Sequence, residues 1–152
     1  RWRPLWLAVL ALALAVAWNL TPLAGSFVKT SRDAAAEPAY WEPAISFLQQ
    51  SLSPSYRVEA VDTIAHWPAA YLPAAGIPIA RGWFRQDDFP RNDVLYSELT
   101  RPAYLGWLRS LGVKYVVLPD APLDYSAKDE GALISLGRSG LVAVFRSEDT
   151  TV

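Results

Sequence analysis

Residues 5–18 read LWLAVLALALAVAW without a charge. Asn19 and Leu20 extend the run to 16 residues, and the uncharged stretch 22–28 (PLAGSFV) carries it on to Lys29. A helix that crosses a bilayer needs roughly 20 mainly apolar residues. The run reaches that length once Pro4 or the 21–28 extension is included. Trp2, Trp6 and Trp18 stand near its ends, where indole rings favour the headgroup zone. Arg1 and Arg3 precede the run, and no other basic residue occurs before Lys29. That asymmetry predicts a cytoplasmic N-terminal side and an extracytoplasmic remainder. Two other readings fit the same pattern. One is a signal peptide with Ala15-Val16-Ala17 as its cleavage site, and the other is a buried core helix. The spanning helix, placed at 1–28 as the last span of a larger protein, is preferred because the chain lacks a starting Met.

After a polar, Ala-rich connector at 29–40 the periodicity changes. Trp41, Ile45, Leu48 and Leu52 share one helical face, with Pro43 in the first turn, so 41–52 is a predicted helix. Residues 56–61 (YRVEAV) alternate and predict a strand. Pro68, Pro73 and Pro78 forbid a long element over 63–76, and 77–80 is at most an edge strand. Residues 81–92 (RGWFRQDDFPRN) read as an irregular loop. Thr100 can cap a helix with Pro102 in its first turn, Tyr104, Trp107, Leu108 and Leu111 give it an apolar face, and Gly112 stops it. The run 113–118 (VKYVVL) predicts a buried strand. Ser126 and Asp129 make a capping-box-like start to a helix over 127–136, and 141–145 (LVAVF) is the predicted last strand. Helix and strand alternate three times. The expected fold is therefore α/β: an N-terminal transmembrane helix, then a small α/β domain at 41–152 with a mostly parallel sheet of three to four strands.

Composition removes several function classes. Without Arg1 and Arg3, twelve basic residues face 15 acidic ones, which is the wrong balance for an electrostatic nucleic-acid binder. Cysteine is absent and His66 is the one histidine, so thiolate nucleophiles, Cys-ligated metals and multi-His metal sites are excluded. No Gly-rich phosphate loop, GxSxG elbow or HExxH motif occurs. No cofactor, metal or nucleic-acid partner is expected, and no complete catalytic constellation is legible.

The densest polar cluster is Arg81-Gly82-Trp83-Phe84-Arg85-Gln86-Asp87-Asp88. Arg81 and Arg85 can bind carboxylate or phosphate bidentately. Trp83 offers a flat apolar face, and Gln86 and Asp87 can bond sugar hydroxyls. The bland alternative is that the arginines pair with Asp87, Asp88 or Glu98 and the aromatics anchor the loop. His66 can act as a general base near neutral pH or serve as a hydrogen-bonded structural residue. Asp120 follows the 113–118 strand, where α/β folds hold ligands; Pro119 and Pro122 beside it also mark a turn.

Several of these residues carry a resemblance over about two-thirds of the chain: Tyr40-Trp41-Glu42-Pro43, His66-Trp67, Arg81-Gly82-Trp83-Phe84-Arg85-Gln86-Asp87, Asn92, Tyr96, Tyr104-Leu105-Gly106-Trp107-Leu108 and the run from Gly112 to Pro119. Together they resemble the C-terminal extracytoplasmic region of bacterial polytopic GT-C-like membrane glycosyltransferases and of uncharacterised integral membrane proteins. The resemblance implies transfer of a sugar from a lipid-phosphate donor at the outer membrane face. It also implies a catalytic acid in an earlier loop of the full protein, so no catalytic residue is carried over. The expected role is an accessory domain that binds a saccharide or polyprenyl-phosphate sugar through Arg81, Trp83, Arg85, Gln86, Asp87 and His66. The implied partners are the bacterial plasma membrane and the remaining spans of the parent protein. The alternatives are a membrane-anchored module recognising envelope polymer or protein, and a free-standing exported enzyme using His66 and Asp87.

Overall fold

The computed structural model describes residues 3–82 and 85–152, and of residues 3, 4 and 85–88 the backbone alone. The chain forms two compact units, the second being Glu37–Val152.

Helix α1 (Arg3–Thr30) dominates the first unit. Its apolar part, Leu5–Thr30, is 26 residues long, about 39 Å at 1.5 Å per residue, against a hydrocarbon core of about 30 Å. The chain thus carries one helix long and apolar enough to cross a membrane. Leu7, Leu12 and Leu23 are each 66% exposed, unlike the side chains of a core helix. Two of its polar side chains bond to the helix's own backbone: Asn19 Nδ2 donates to Ala15 O and Thr21 Oγ1 to Ala17 O, both at 2.7 Å. That is how such groups are satisfied where no water reaches. The helix outruns the sequence expectation by two residues and takes in Lys29.

In the second unit, α2 (Pro38–Ser51) buries Tyr40, Trp41, Ala44 and Leu48. Its Phe47 ring stands edge-on to Tyr115 at 5.5 Å and stacks on Phe145 at 4.9 Å. β1 (Arg57–Ala60) runs parallel to β2 (Val113–Pro119), with Val58 opposite Tyr115 and Ala60 opposite Val117. Ile79 adds a single parallel bridge on the far side of β1. There Val58 N donates to Pro78 O and Ala80 N to Val58 O, so Pro78, which lacks an N–H, contributes only its carbonyl.

The sheet is mixed, not mostly parallel. β3 (Thr150–Thr151) runs antiparallel to β2, with Leu118 opposite Thr151. The expected strand 141–145 is not a sheet strand. It forms the outer arm of a hairpin, in which Val144 N donates to Val152 O and Val152 N to Phe145 O. The turn is closed by Ser147, whose N–H reaches Thr150 O at 2.8 Å and whose hydroxyl accepts from Thr150 N at 3.0 Å. A local closure needs far less loop ordering than a crossover, and it sets the direction of β3.

α3 (Trp67–Ala74) starts on Pro68 and uses the prolines near its ends. The expected loop 81–92 is in part helical, as α4 (Arg85–Asn92). Asp87 and Asp88 in its first turn and Arg91 in its last follow the order that the helix dipole favours, and Pro90 removes only one bond from so short a helix. α5 (Arg101–Ser110) follows expectation: Thr100 Oγ1 accepts from Ala103 N, and Gly112 sits at φ 67° just after the last turn. α6 (Lys128–Ser135) does not start on a Ser126 capping box. Asp124 caps the short 3-10 turn before it, its Oδ1 accepting from Ser126 N at 3.0 Å and Ser126 Oγ at 2.7 Å. Gly131 sits mid-helix because a Cβ there would strike the Leu123 side chain.

Candidate functional site

Three parallel segments end on one edge of the sheet: β1, the bridge at Ile79, and β2. The loops leaving that edge carry Asp62 and His66, then Arg81, then Asp120 and Asp124. An antiparallel bridge between Thr63 and Leu123 ties two of the loops together, reinforced by Asp124 N donating to Asp62 O at 3.0 Å. The carboxyl edge of parallel strands is where α/β folds hold ligands.

Arg81 is turned inward. Its Nη2 donates to Glu130 Oε2 at 2.9 Å and to Ala60 O at 3.2 Å, and lies 2.8 Å from Glu59 Oε1. Tyr104 OH donates to the other oxygen of Glu130 at 2.7 Å. Glu59, Glu130 and Tyr104 have no exposed surface. Neither oxygen of Glu59 makes an aligned hydrogen bond, although Oε1 is close to the guanidinium. Glu130 is thus the hydrogen-bonded counter-ion of Arg81. Burial pushes the Glu59 carboxyl well above its ordinary value; Arg81 opposes that shift, while Glu130 and Asp62 add to it. For Arg81, burial acts to lower the pKa, but Glu59 and Glu130 outweigh it and hold the guanidinium charged. Burial, then Glu130, keeps the Tyr104 phenol protonated. The cluster therefore gathers one guanidinium, two carboxyl groups and one phenol, with the Glu59 carboxyl raised well above its ordinary value. It joins β1, α5 and α6 to the start of the 81–87 run.

The far end of that run is fixed too. Trp107 Nε1 donates to Arg91 O at 3.0 Å and to the Asn92 side-chain oxygen at 3.2 Å, with Asn92 buried. Trp83 lies outside the described residues. Arg85, Gln86 and Asp87 lie on the backbone of α4, with their side chains likewise outside the description.

His66 sits where α3 begins, at φ 58° and ψ 30°, a left-handed conformation that a side chain disfavours. Its Nδ1 is 2.6 Å from Asp62 Oδ2, and both side chains are largely buried. A carboxylate on Nδ1 orients an imidazole as general bases require. It equally holds a strained residue in place. Among the described residues no group of three metal-ligating side chains occurs.

Sequence reasoning missed the cleft beside Asp120. It holds about 400 Å³ at the end of β2 and is lined by Asp120, Glu148 and Asp149 together with Ser135, Ser147 and Thr151. Asp120 N donates to Asp149 O at 2.7 Å and ties its two rims. No cation lines it, so it suits a ligand that donates hydrogen bonds and repels phosphate. Asp120 at a strand end was the only legible signal.

Three outcomes are expected in melts of the full chain in detergent. Arg81→Met leaves Glu130 buried without its cation and should cost about 3–5 kcal/mol. Glu59 has a raised folded pKa, so the stability it contributes is full below its unfolded value of 4.5 and is lost as pH rises towards the folded value. Wild type should therefore fall relative to Glu59→Gln by about 1.4 kcal/mol per pH unit across that window; parallel curves would contradict the raised Glu59 pKa. At His66, Gly and Ala both delete the Asp62 contact, and only Gly relieves the backbone. His66→Gly should be roughly 1–2 kcal/mol more stable than His66→Ala, and equal melting would remove the strain argument.

Comparison with protein-family models, curated proteins and solved structures finds no match to this chain, so its function is argued from its own residues.

Proposed function

We propose that this chain is the extracytoplasmic accessory domain of a polytopic, GT-C-like membrane glycosyltransferase, held at the membrane by α1. In this reading it binds a saccharide, free or as part of a polyprenyl-phosphate sugar, and performs no catalysis alone. One observation carries the reading: the polar cleft at the carboxyl edge of the sheet, lined by three carboxylates and four hydroxyl residues. Carboxylates accept hydrogen bonds from sugar hydroxyls, whereas a bare phosphate would meet only like charge there. The sugar is therefore the part of a lipid-linked donor that the cleft takes. Trp83, Arg85, Gln86 and Asp87 form the second half of the proposed surface, on a run anchored at Arg81 and Asn92. Any phosphate falls to Arg85, because Arg81 is already engaged by Glu130. His66 orients the neighbouring loop through Asp62. The charge asymmetry around α1 supports an extracytoplasmic domain.

The binding test uses the full chain in nanodiscs, presented to an array of neutral and amino-sugar oligosaccharides. Binding is expected, with loss in the Asp120→Asn/Asp149→Asn double variant and a weaker effect in Trp83→Ala. A blank array, or binding untouched by either variant, overturns the proposal. Sidedness is tested separately. The chain has no cysteine, so Glu148→Cys gives a single thiol, which should react with a membrane-impermeant maleimide on intact cells. Reaction only after lysis would reverse the orientation.

A further inference from the structure

The outer arm of the C-terminal hairpin leaves apolar side chains uncovered. Val142 is 81% exposed and Val144 58%. Grooves of about 380 and 410 Å³ flank them and share Val116, Leu141, Val142 and Val152. The charge around this patch has one sign. Residues 131–147 include Arg138 and Arg146 and no acidic residue. Lys114 lines one groove and Arg146 the other, and the Arg101 guanidinium lies against Gly140 at the edge of the first. All four cations are exposed, and none joins an ion pair among the described residues.

We propose that this face docks on the anionic headgroup surface of a bilayer. An apolar patch rimmed by cations is what such a surface selects: the side chains enter the acyl boundary while Lys and Arg meet lipid phosphates. A saccharide or an acidic protein would match the cations and leave Val142 and Val144 unused. The chain supplies the lipid as well. Only residues 31–36 separate α1 from the unit that starts at Glu37, so a weak lipid contact would act at a high effective concentration. Around the cleft the charge is reversed, with Asp120, Glu148 and Asp149. The cleft adjoins the second groove, sharing Leu118, Ser135 and Thr151 with it, so the change of charge sign marks the border of the docking face. The inference rests on α1 lying in the bilayer and is independent of saccharide binding.

The test places single cysteines, each labelled with an environment-sensitive fluorophore, in the full chain in nanodiscs that carry a lipid-attached quencher. The discs contain phosphatidylcholine with phosphatidylglycerol, or phosphatidylcholine alone. Leu14→Cys reports insertion of α1, Val142→Cys the proposed face and Glu148→Cys the cleft. In phosphatidylglycerol discs the lipid should quench Val142→Cys and spare Glu148→Cys. Arg138→Glu/Arg146→Glu should reduce the docked population on the order of tenfold or more. High salt should act in the same direction on the unaltered face, which covers the case of a double variant that does not fold. Quenching at Leu14→Cys with equal signals at the other two positions overturns the docking and leaves the spanning helix standing. Disulfide pairing between Val142→Cys copies also overturns it, in favour of self-association.

Discussion

Two carboxyl groups, one guanidinium and one phenol share a buried site between β1, α5 and α6, and the rest of the domain is arranged around their mutual compensation. A buried ion costs several kcal/mol unless it is paired and hydrogen-bonded. Glu130 meets that condition through Arg81 and Tyr104. Glu59 lies 2.8 Å from the same guanidinium without an aligned hydrogen bond, and burial raises its pKa well above the ordinary value. The arrangement is satisfied only when strand, helices and the loop after Ile79 come together in one register. It therefore specifies the fold more than it stabilises it, since an apolar cluster of the same volume would fill the space at lower cost. Its position matters for function. Arg81 opens the most chemically varied run in the sequence, and committing its side chain to the core fixes the point from which that run departs.

The second constraint comes from the solvent. α1 exposes leucines along its length and binds the Asn19 and Thr21 side chains to its own backbone, as hydrocarbon surroundings favour. The other unit carries charge of opposite sign on two regions, acidic at the cleft and basic at the hairpin arm. In a domain tethered to a membrane, such polarity is an orientation device as much as a binding property. The proposed ligand cleft and the proposed lipid-facing patch adjoin through Leu118, Ser135 and Thr151, and the change of sign separates them.

Much of the fold was legible because local periodicity and caps decide it. α2, α5, β1 and β2 all arise where the sequence places them, and Thr100 and Gly112 bound α5 as capping chemistry requires. The misreadings share one cause. LVAVF has the composition of a core strand, yet a turn closed by Ser147 and Thr150 makes it the exposed arm of a hairpin. The polar run before Asn92 reads as a loop because Pro90 outweighs, on paper, a favourable charge order; a Trp107 hydrogen bond to Asn92 fixes the end of that helix. Ser126 resembles a cap, but Asp124 reaches the free N–H first.

By itself the sequence determined the long apolar helix, the α/β alternation, and the exclusion of thiolate, Cys-ligated and multi-His metal chemistry among its residue types. Each depends on composition or on spacing within a turn or two. Only the tertiary structure decided that Arg81 is a buried anchor, that His66 is strained and held by Asp62, that the sheet is mixed, and that an acidic cleft opens beside Asp120. The physical reason is range. A side chain's partners across the sheet come from segments tens of residues away, and desolvation, which turns a charged residue from ligand binder to core component, exists only once those segments have packed.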